Sequence, residues 1–140
     1  MTYVLDASVA IKWFFTNENL HKESIEQLNL LTLDPSRFAV PELFYPEAAA
    51  VISRKSSNDE IFTKKAIESI YSLGIPTVPI QGKHLVDSCS IACKNNLSVF
   101  DSIYLQTALI LNAKWLTADL VAAKRISNNS KLKKYLEVIG

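Results

Sequence analysis

The sequence predicts an α/β sandwich built on a short, largely parallel sheet. Two observations predict this class: short apolar runs alternate with longer segments of helical period, and most of the connections between them are short. No internal repeat, low-complexity tract or domain-sized linker interrupts the pattern. With 140 residues, 49% of them hydrophobic, the chain is most simply one domain covering residues 1–140.

The first half of the chain is expected to form two strands and four helices. The strands are the apolar runs 2–5 and 38–40, and the helices are segments 7–15, 21–33, 41–54 and 60–73. Asn17–Asn19, Asp34–Ser36 and Ser56–Asp59 separate the helices and carry residues that are typical of turns and caps. Pro41 suits a helix start, because its missing N–H is not needed there, and Gly74 suits a helix end.

The second half is expected to form three strands and three helices. The strands are segments 76–80, 113–116 and 136–139, and the helices are segments 83–95, 101–112 and 120–126. Pro76 and Pro79 make the first of these strands typical of a sheet edge, since proline cannot donate to a strand ladder. Asn128–Ser130 is expected to form the loop before the last strand.

Four carboxylates occur where a core-forming run meets a loop or a helix start. They are Asp6, Glu47, Asp101 and Asp119. In parallel sheets, ligands lie outside the carboxyl ends of the strands, and Asp6 and Asp119 follow predicted strands at that end. A carboxylate beside a core run costs free energy unless it is paired or bound to a cation. Brought together by folding, the four would form an oxygen site for Mg²⁺ or Mn²⁺ and point to metal-assisted cleavage of phosphodiester bonds.

Each of these carboxylates also has a purely structural explanation. Asp6, Asp101 and Asp119 each precede a predicted helix, and aspartate is a favoured N-cap. Glu47 interrupts or borders the apolar stripe of its predicted helix, so an inward position and an edge position are both open. The residues alone therefore leave capping and metal binding open as roles for these side chains.

Cysteine and histidine do not form a recognisable site. Cys89 and Cys93 lack the Cys-x-x-Cys spacing of a redox or zinc pair, and we expect them to fill space in the core. His21 and His84 lie far apart, and we expect them on helix surfaces or in loops. The three glycines are too dispersed for a phosphate-binding loop.

The formal net charge of +1 does not indicate a nucleic-acid binder, but the charge is unevenly distributed. The basic residues after position 112 are Lys114, Lys124, Arg125, Lys131, Lys133 and Lys134. Only Asp119 and Glu137 oppose them there. This basic region could contact phosphates, and a solvated helix face explains it nearly as well.

The sequence contains no feature that is typical of a membrane or secreted protein. No apolar run approaches the roughly 20 residues that are needed to span a bilayer. The N-terminus lacks the basic start and long apolar stretch of a signal peptide. We therefore expect a cytoplasmic protein.

The ordered acidic segments resemble those of PIN-domain ribonucleases, especially VapC-type toxins of toxin–antitoxin pairs. The resemblance is carried by Val4–Phe14, Val40–Glu47, Phe100–Ala108 and Leu116–Asp119, which together extend over nearly the whole chain. It implies a PIN-like three-layer sandwich with a Mg²⁺- or Mn²⁺-dependent endoribonuclease site. It also implies an RNA substrate, a small antitoxin partner and a homodimer.

The resemblance assigns roles by position. The four carboxylates would be the catalytic residues, and three of them, Asp6, Asp101 and Asp119, would hold the metal. Ser8 and Thr117 would be supporting polar residues that position water or a metal-binding side chain.

Two other classes of function compete with the nuclease. A phospho-receiver-like domain would carry paired acids after its first strand, whereas Asp6 has Leu5 and Ala7 as neighbours, so the pair is missing. A PIN-like scaffold that binds RNA or protein without cleaving RNA is the alternative function. The presence of all four carboxylates argues against it.

Overall fold

The computed structural model describes residues 2–140 as a five-stranded sheet with helices around it. The strands are β1 (Tyr3–Leu5), β2 (Phe38–Pro41), β3 (Thr77–Val78), β4 (Lys114–Thr117) and β5 (Leu136–Val138). The helices are α1 (Ala7–Ala10), α2 (His21–Leu33), α3 (Phe44–Lys55), α4 (Glu60–Ser72), α5 (Gly82–Asn95), α6 (Val99–Leu111) and α7 (Leu120–Ser127). Short 3₁₀ turns cover Ile11–Phe14, Pro35–Arg37 and Lys133–Tyr135.

The strands lie in the order β3-β2-β1-β4-β5, and all neighbouring pairs are parallel. In the central strand, Tyr3 pairs with Phe38 on one side and with Lys114 on the other. The predicted α/β class with a mostly parallel sheet is confirmed. The proline-flanked strand lies at the edge, as expected. Because the strands are parallel, all their carboxyl ends face the same side of the molecule.

The core is centred on β1, β4 and α6. Val4, Leu5 and Trp115 are fully buried in the two strands, and Tyr104 and Leu105 are fully buried on the helix. Burying one large apolar side chain contributes about 1.5–3 kcal/mol, so these few residues contribute much of the stability. Within residues 2–140 no helix combines the length and the apolar character that crossing a membrane requires.

Two helix starts differ from the sequence prediction by two residues or more. The third helix begins at Phe44 and not at Pro41, because Pro41 is the last residue of β2 and pairs with Val78. The sixth begins at Val99, where the Ser98 hydroxyl caps it by accepting the N–H of Asp101 at 3.0 Å. The predicted N-cap role of Asp101 is therefore wrong, because Asp101 lies in the first turn of the helix.

Helix α5 presents a different face to the core from the one that we expected. His84, Ser88 and Ala92, spaced four residues apart, are buried along it. Cys89 and Cys93 lie one position further on and are exposed. The expected core position of the cysteines and the expected surface position of His84 are therefore both wrong.

Candidate active site

Asp6 lies at the carboxyl end of the central strand and is only 3% exposed. It caps α1, with its Oδ1 accepting the Ser8 N–H at 2.8 Å. Its Oδ2 accepts the indole Nε1–H of Trp115 at 2.7 Å. Burial raises the pKa of Asp6 from 3.8 to about 6, against the lowering effect of these two hydrogen bonds. The side chain is thus fixed in place, but its charge is poorly stabilised.

Asp119 lies at the corresponding end of the neighbouring strand β4. It caps α7, with its Oδ1 accepting the N–H groups of Val121 and Ala122 at 2.9 and 3.1 Å. The predicted capping roles of Asp6 and Asp119 are both confirmed. A carboxylate oxygen has more than one lone pair, so capping leaves acceptor capacity free for another ligand.

Ser8 and Thr117 fix the loop that carries Asp119. The Ser8 hydroxyl oxygen accepts the N–H of Ala118 at 3.0 Å, and the Thr117 hydroxyl oxygen accepts the N–H of Asp119 at 3.0 Å. The two hydroxyl oxygens lie 3.3 Å apart and share a hydrogen bond. These contacts connect the start of α1 to the β4–α7 loop and therefore set the spacing between Asp6 and Asp119.

Glu47 and Asp101 lie in the first turns of α3 and α6. Burial, together with the charges of Asp6 and Asp101, raises the pKa of Glu47 from 4.5 to about 7, against the lowering effect of the nearby Tyr104 hydroxyl. Burial also raises the pKa of Asp101, as does the charge of Asp119. The Ser98 hydroxyl and the charge of Arg125 lower the pKa of Asp101.

These mutual effects show that the four predicted carboxylates lie within reach of one another's charges. Asp6, Glu47 and Asp101 interact with one another, and Asp119 joins them through Asp101. We call this set of four the acidic site. None of them forms an ion pair within residues 2–140. Carboxylates that repel one another without a counter-charge favour binding of a proton or a cation.

Tyr104 and Trp115 belong to the same site, although sequence reasoning assigned no role to either. Tyr104 is fully buried, and its hydroxyl makes no hydrogen bond of good geometry within residues 2–140, although the Glu47 carboxylate and the Ala7 N–H lie near it. Burial raises its pKa well above 10, and the charges of Asp6 and Glu47 raise it further. Tyr104 follows Asp101 by three residues, so the same helix face carries both. The Tyr104 hydroxyl therefore lies against the carboxylates of the acidic site, where it lowers the pKa of Glu47.

The donor set fits a hydrated divalent cation better than a closed metal cage. All the candidate ligands are carboxylate oxygens, which suit Mg²⁺ and Mn²⁺. Among residues 2–140, no three acidic, histidine or cysteine side chains are grouped closely enough to hold an ion by themselves. Mg²⁺ is usually held by one or two carboxylates and keeps several waters, so the acidic site meets its requirements.

A cleft of about 280 Å³ opens beside Glu47, and Ser8, Lys12, Glu18 and Lys55 contribute to its lining. The Glu18 carboxylate forms ion pairs with Lys12, at 3.7 Å, and with Lys55. Burial lowers the pKa of Lys12. The two lysines that line this cleft with Glu47 are therefore already paired with an acidic side chain of this chain.

The fold and the site together define a class of protein. It is a parallel α/β sandwich in which clustered carboxylates gather at the carboxyl edge of the sheet, an arrangement suited to binding a divalent cation and phosphate groups. The profile of the PIN domain matches residues 3–128. The chain belongs to the PIN domain family, whose members are generally nucleases.

Three solved structures share this fold at low sequence identity. The crystal structure of PAE2754 from Pyrobaculum aerophilum is 15% identical with a TM-score of 0.66, covering 89% of this chain and 79% of that one. A toxin–antitoxin complex from Klebsiella pneumoniae is 16% identical with a TM-score of 0.62, covering 99% and 97%. VapBC2 from Rickettsia felis, bound to a DNA fragment from its promoter, is 14% identical with a TM-score of 0.68, covering 100% of both chains. A sequence comparison with curated proteins gives no significant match.

Proposed function

We propose that this protein is a metal-dependent endoribonuclease and the toxin of a type II toxin–antitoxin pair. The observation that carries the proposal is the acidic site, in which mutual repulsion and burial raise the pKa values of Asp6, Glu47 and Asp101. Membership of the PIN family supports a nuclease. The toxin role is supported by the likeness to two structures that are described as toxin–antitoxin or VapBC assemblies.

Asp6, Asp101 and Asp119 would hold Mg²⁺ or Mn²⁺, directly or through water. When bound, such an ion lowers the pKa of a coordinated water and offsets negative charge on the phosphate. The protein's part is to keep these carboxylates in place before the ion arrives. Trp115 and the Ser8 N–H do this for Asp6, and the N-terminal N–H groups of α7 do it for Asp119.

Glu47 would act as the proton acceptor. Its pKa of about 7 lets it exist in both protonation states near neutral pH, which is the condition for an effective general base. Its carboxylate lines the cleft beside the acidic site, where a substrate phosphate and an attacking water would meet. The hydroxyl of Tyr104, which lowers the pKa of Glu47, would orient the Glu47 carboxylate toward the attacking water.

The remaining parts of the proposal concern partners and place. A small antitoxin would cover the acidic site and block it, and two copies of this chain would form a homodimer. An RNA-cleaving toxin acts where cellular RNA is found, so we place the protein in the cytoplasm.

The decisive experiment compares Asp6→Asn with wild-type protein in cleavage of a structured RNA with Mg²⁺ or Mn²⁺. We expect Asp6→Asn to reduce the rate by about 10³-fold or more, because the charge at the centre of the acidic site is lost. Asp87→Asn is the matched control, since Asp87 lies on α5 and pairs with Lys83 outside the site. It should retain cleavage within about twofold.

Thermal unfolding of Asp6→Asn separates loss of activity from loss of fold. Full cleavage by this variant, or cleavage by the wild-type protein in excess EDTA, would contradict the mechanism. RNA binding by the wild-type protein without cleavage in either metal would instead support the non-cleaving scaffold.

A further inference from the structure

A second concave surface lies between the end of α5 and the segment that follows α7. Its volume is about 610 Å³, and it is lined by Cys93–Asn96, Arg125 and Asn128–Lys131. We call this surface the basic cleft. It falls within the size range of clefts that bind small ligands or portions of larger ones.

The charge of the basic cleft is entirely positive. Lys94, Arg125 and Lys131 line it, and no acidic residue does. None of the three forms an ion pair within residues 2–140, in contrast to Lys12 and Lys55, which are paired with Glu18. Lys94 and Arg125 lie in the last turns of helices, where cations are favoured in any case. Lys131 belongs to neither helix, so the helix dipole does not explain its presence in the cleft.

The polar lining of the cleft is held in place by Asn129. Its side-chain Nδ2 donates to the Oδ1 of Asn95 at 3.0 Å, which connects the two walls. Its Oδ1 accepts the backbone N–H of Lys131 at 3.1 Å. Asn96 and Asn128 add two further exposed amide groups. Side-chain amides both donate and accept hydrogen bonds, as the edges of nucleic-acid bases do.

The basic cleft adjoins the acidic site. Asn96 in the cleft lining lies just before α6, whose first turn carries Asp101, and Arg125 in the lining belongs to α7, which Asp119 caps. A polyanion that lies in the cleft would therefore continue toward the carboxylates. A nuclease needs such an arrangement, because carboxylates repel the substrate and its neighbouring phosphates must be held by cations elsewhere.

We infer that the basic cleft binds the backbone and unpaired bases of single-stranded RNA beside the bond to be cleaved. This inference rests on the proposed function and names where its substrate is held. Leucine, isoleucine, valine and aromatic side chains are absent from the described lining, so the cleft has no pocket for the apolar anchors of a peptide. Cations combined with amides suit phosphates and base edges.

The test measures RNA binding by Lys94→Gln/Lys131→Gln in an Asp6→Asn background, so that the RNA is not cleaved. Binding of a fluorescein-labelled 12-nucleotide single-stranded RNA is followed by anisotropy between 50 and 200 mM NaCl. Lys22→Gln/Lys65→Gln is the matched control, since both lysines are exposed, lie on α2 and α4, and form no ion pair. It removes the same charge far from the cleft.

We expect the cleft variant to bind about tenfold or more weakly and the control variant within about twofold. The slope of log affinity against log salt should become shallower by about 1.4, because two phosphate contacts on a single strand are lost. In the active background, the cleft variant should raise KM and leave kcat within about twofold, as expected for contacts that are equal in the ground and transition states.

Three results would overturn the inference. The first is unchanged RNA binding by the cleft variant. The second is an equal loss of RNA affinity in the cleft variant and the control variant. The third is absence of RNA binding by the Asp6→Asn protein itself. A polyglutamate peptide that binds through Lys94 and Lys131 where RNA does not would assign the cleft to an acidic partner. If the wild-type protein cleaves RNA and the cleft variant binds it unchanged, the proposed nuclease function holds and the role of the cleft is rejected. If RNA binding depends on the cleft but the wild-type protein does not cleave RNA, only the nuclease function is rejected.

Discussion

In the acidic site, the charged groups are buried or half-buried, and Asp6 and Asp119 are held by neutral donors, whereas in the basic cleft the charged groups are exposed and extend on long side chains. Asp6 is 3% exposed and is fixed by an indole and a backbone N–H. Lys94, Arg125 and Lys131 are all exposed. The buried charges cost free energy, and burial therefore raises their pKa values, whereas the exposed ones stay solvated.

This difference separates two tasks that one surface could not perform. Holding a cation and a reactive water requires side chains that do not move, even at some cost in stability. Holding a flexible RNA strand of varied sequence requires cations that can adjust. Lys12 and Lys55 illustrate a third arrangement of charge. Both form ion pairs with Glu18, so the positive charges in the cleft beside Glu47 are already neutralised.

The largest effect on stability is expected for Trp115→Phe. This change removes the hydrogen bond to Asp6 and part of a fully buried ring, so the free energy of unfolding should fall by about 2–4 kcal/mol. Trp13→Phe is the matched control, because that buried indole donates to a neutral acceptor, the Ser24 carbonyl, at 2.8 Å. Urea denaturation of both variants measures the difference.

The free energy of unfolding should fall more in the Trp115 variant than in the Trp13 variant, since only the former removes a donor from a buried carboxylate. A larger loss of stability in Trp13→Phe would contradict this prediction, because the acidic site would then not depend on its neutral donors.

The next effect concerns pH and metal. The folded-state pKa values of Asp6 and Glu47, about 6 and about 7, lie above their ordinary values of 3.8 and 4.5. Between about pH 4 and pH 7 the folded protein therefore binds more protons than the unfolded chain. In EDTA, the free energy of unfolding should fall as the pH rises through this window.

Mg²⁺ should restore stability at pH 7.5 and change it little at pH 5, where protons already neutralise the site. Urea-unfolding midpoints at the two pH values, with EDTA or with 5 mM Mg²⁺, measure both effects. Glu47→Gln should flatten the pH dependence. Stability that rises with pH in EDTA would contradict the charge repulsion that we derive for the acidic site.

A smaller effect should connect the two regions. Arg125→Gln removes a charge that lowers the pKa of Asp101, so that pKa should rise and the acid limb of the cleavage profile should move to higher pH. Lys124→Gln, at the neighbouring exposed position, is the control and should leave the limb in place. An unchanged limb in the Arg125 variant would mean that the two regions are electrically independent.

The smallest effect on stability is expected for Tyr104→Phe. The Tyr104 hydroxyl is buried and makes no hydrogen bond of good geometry, so its removal loses only weak contacts with Glu47 and Ala7, and the free energy of unfolding should change by less than about 1 kcal/mol. Tyr45→Phe is the comparison, because the Tyr45 hydroxyl lies 3.5 Å from that of Thr77. Thermal unfolding of both variants gives the measurement. A loss above about 2 kcal/mol at Tyr104 would show that its hydroxyl has an internal partner.

Much of the fold could be predicted from local pattern. The strand order along the chain and most helix bounds follow from apolar period, turn residues and caps, which act over a few residues. The start of α3 could not be predicted from local pattern, because Pro41 suits a first helical position and also suits the end of β2. Pairing with Val78, which is 37 positions away, decided between them.

The sequence by itself determined which residues carry the candidate chemistry and where along each element they lie. Asp6 directly follows β1, Asp119 lies two residues after β4, and both cap the helices that come next; such features depend only on near neighbours. The order of the acidic segments could therefore be identified from the sequence without a structure.

Only the tertiary structure decided how those side chains are supported and what surrounds them. The hydrogen bond from Trp115 to Asp6 joins positions 109 residues apart, and the charge of Arg125 reaches Asp101 across two elements. The burial of Tyr104 and of His84 depends on which helix face meets the sheet or its neighbour. Such contacts are fixed by packing over the whole fold, so local sequence does not contain them.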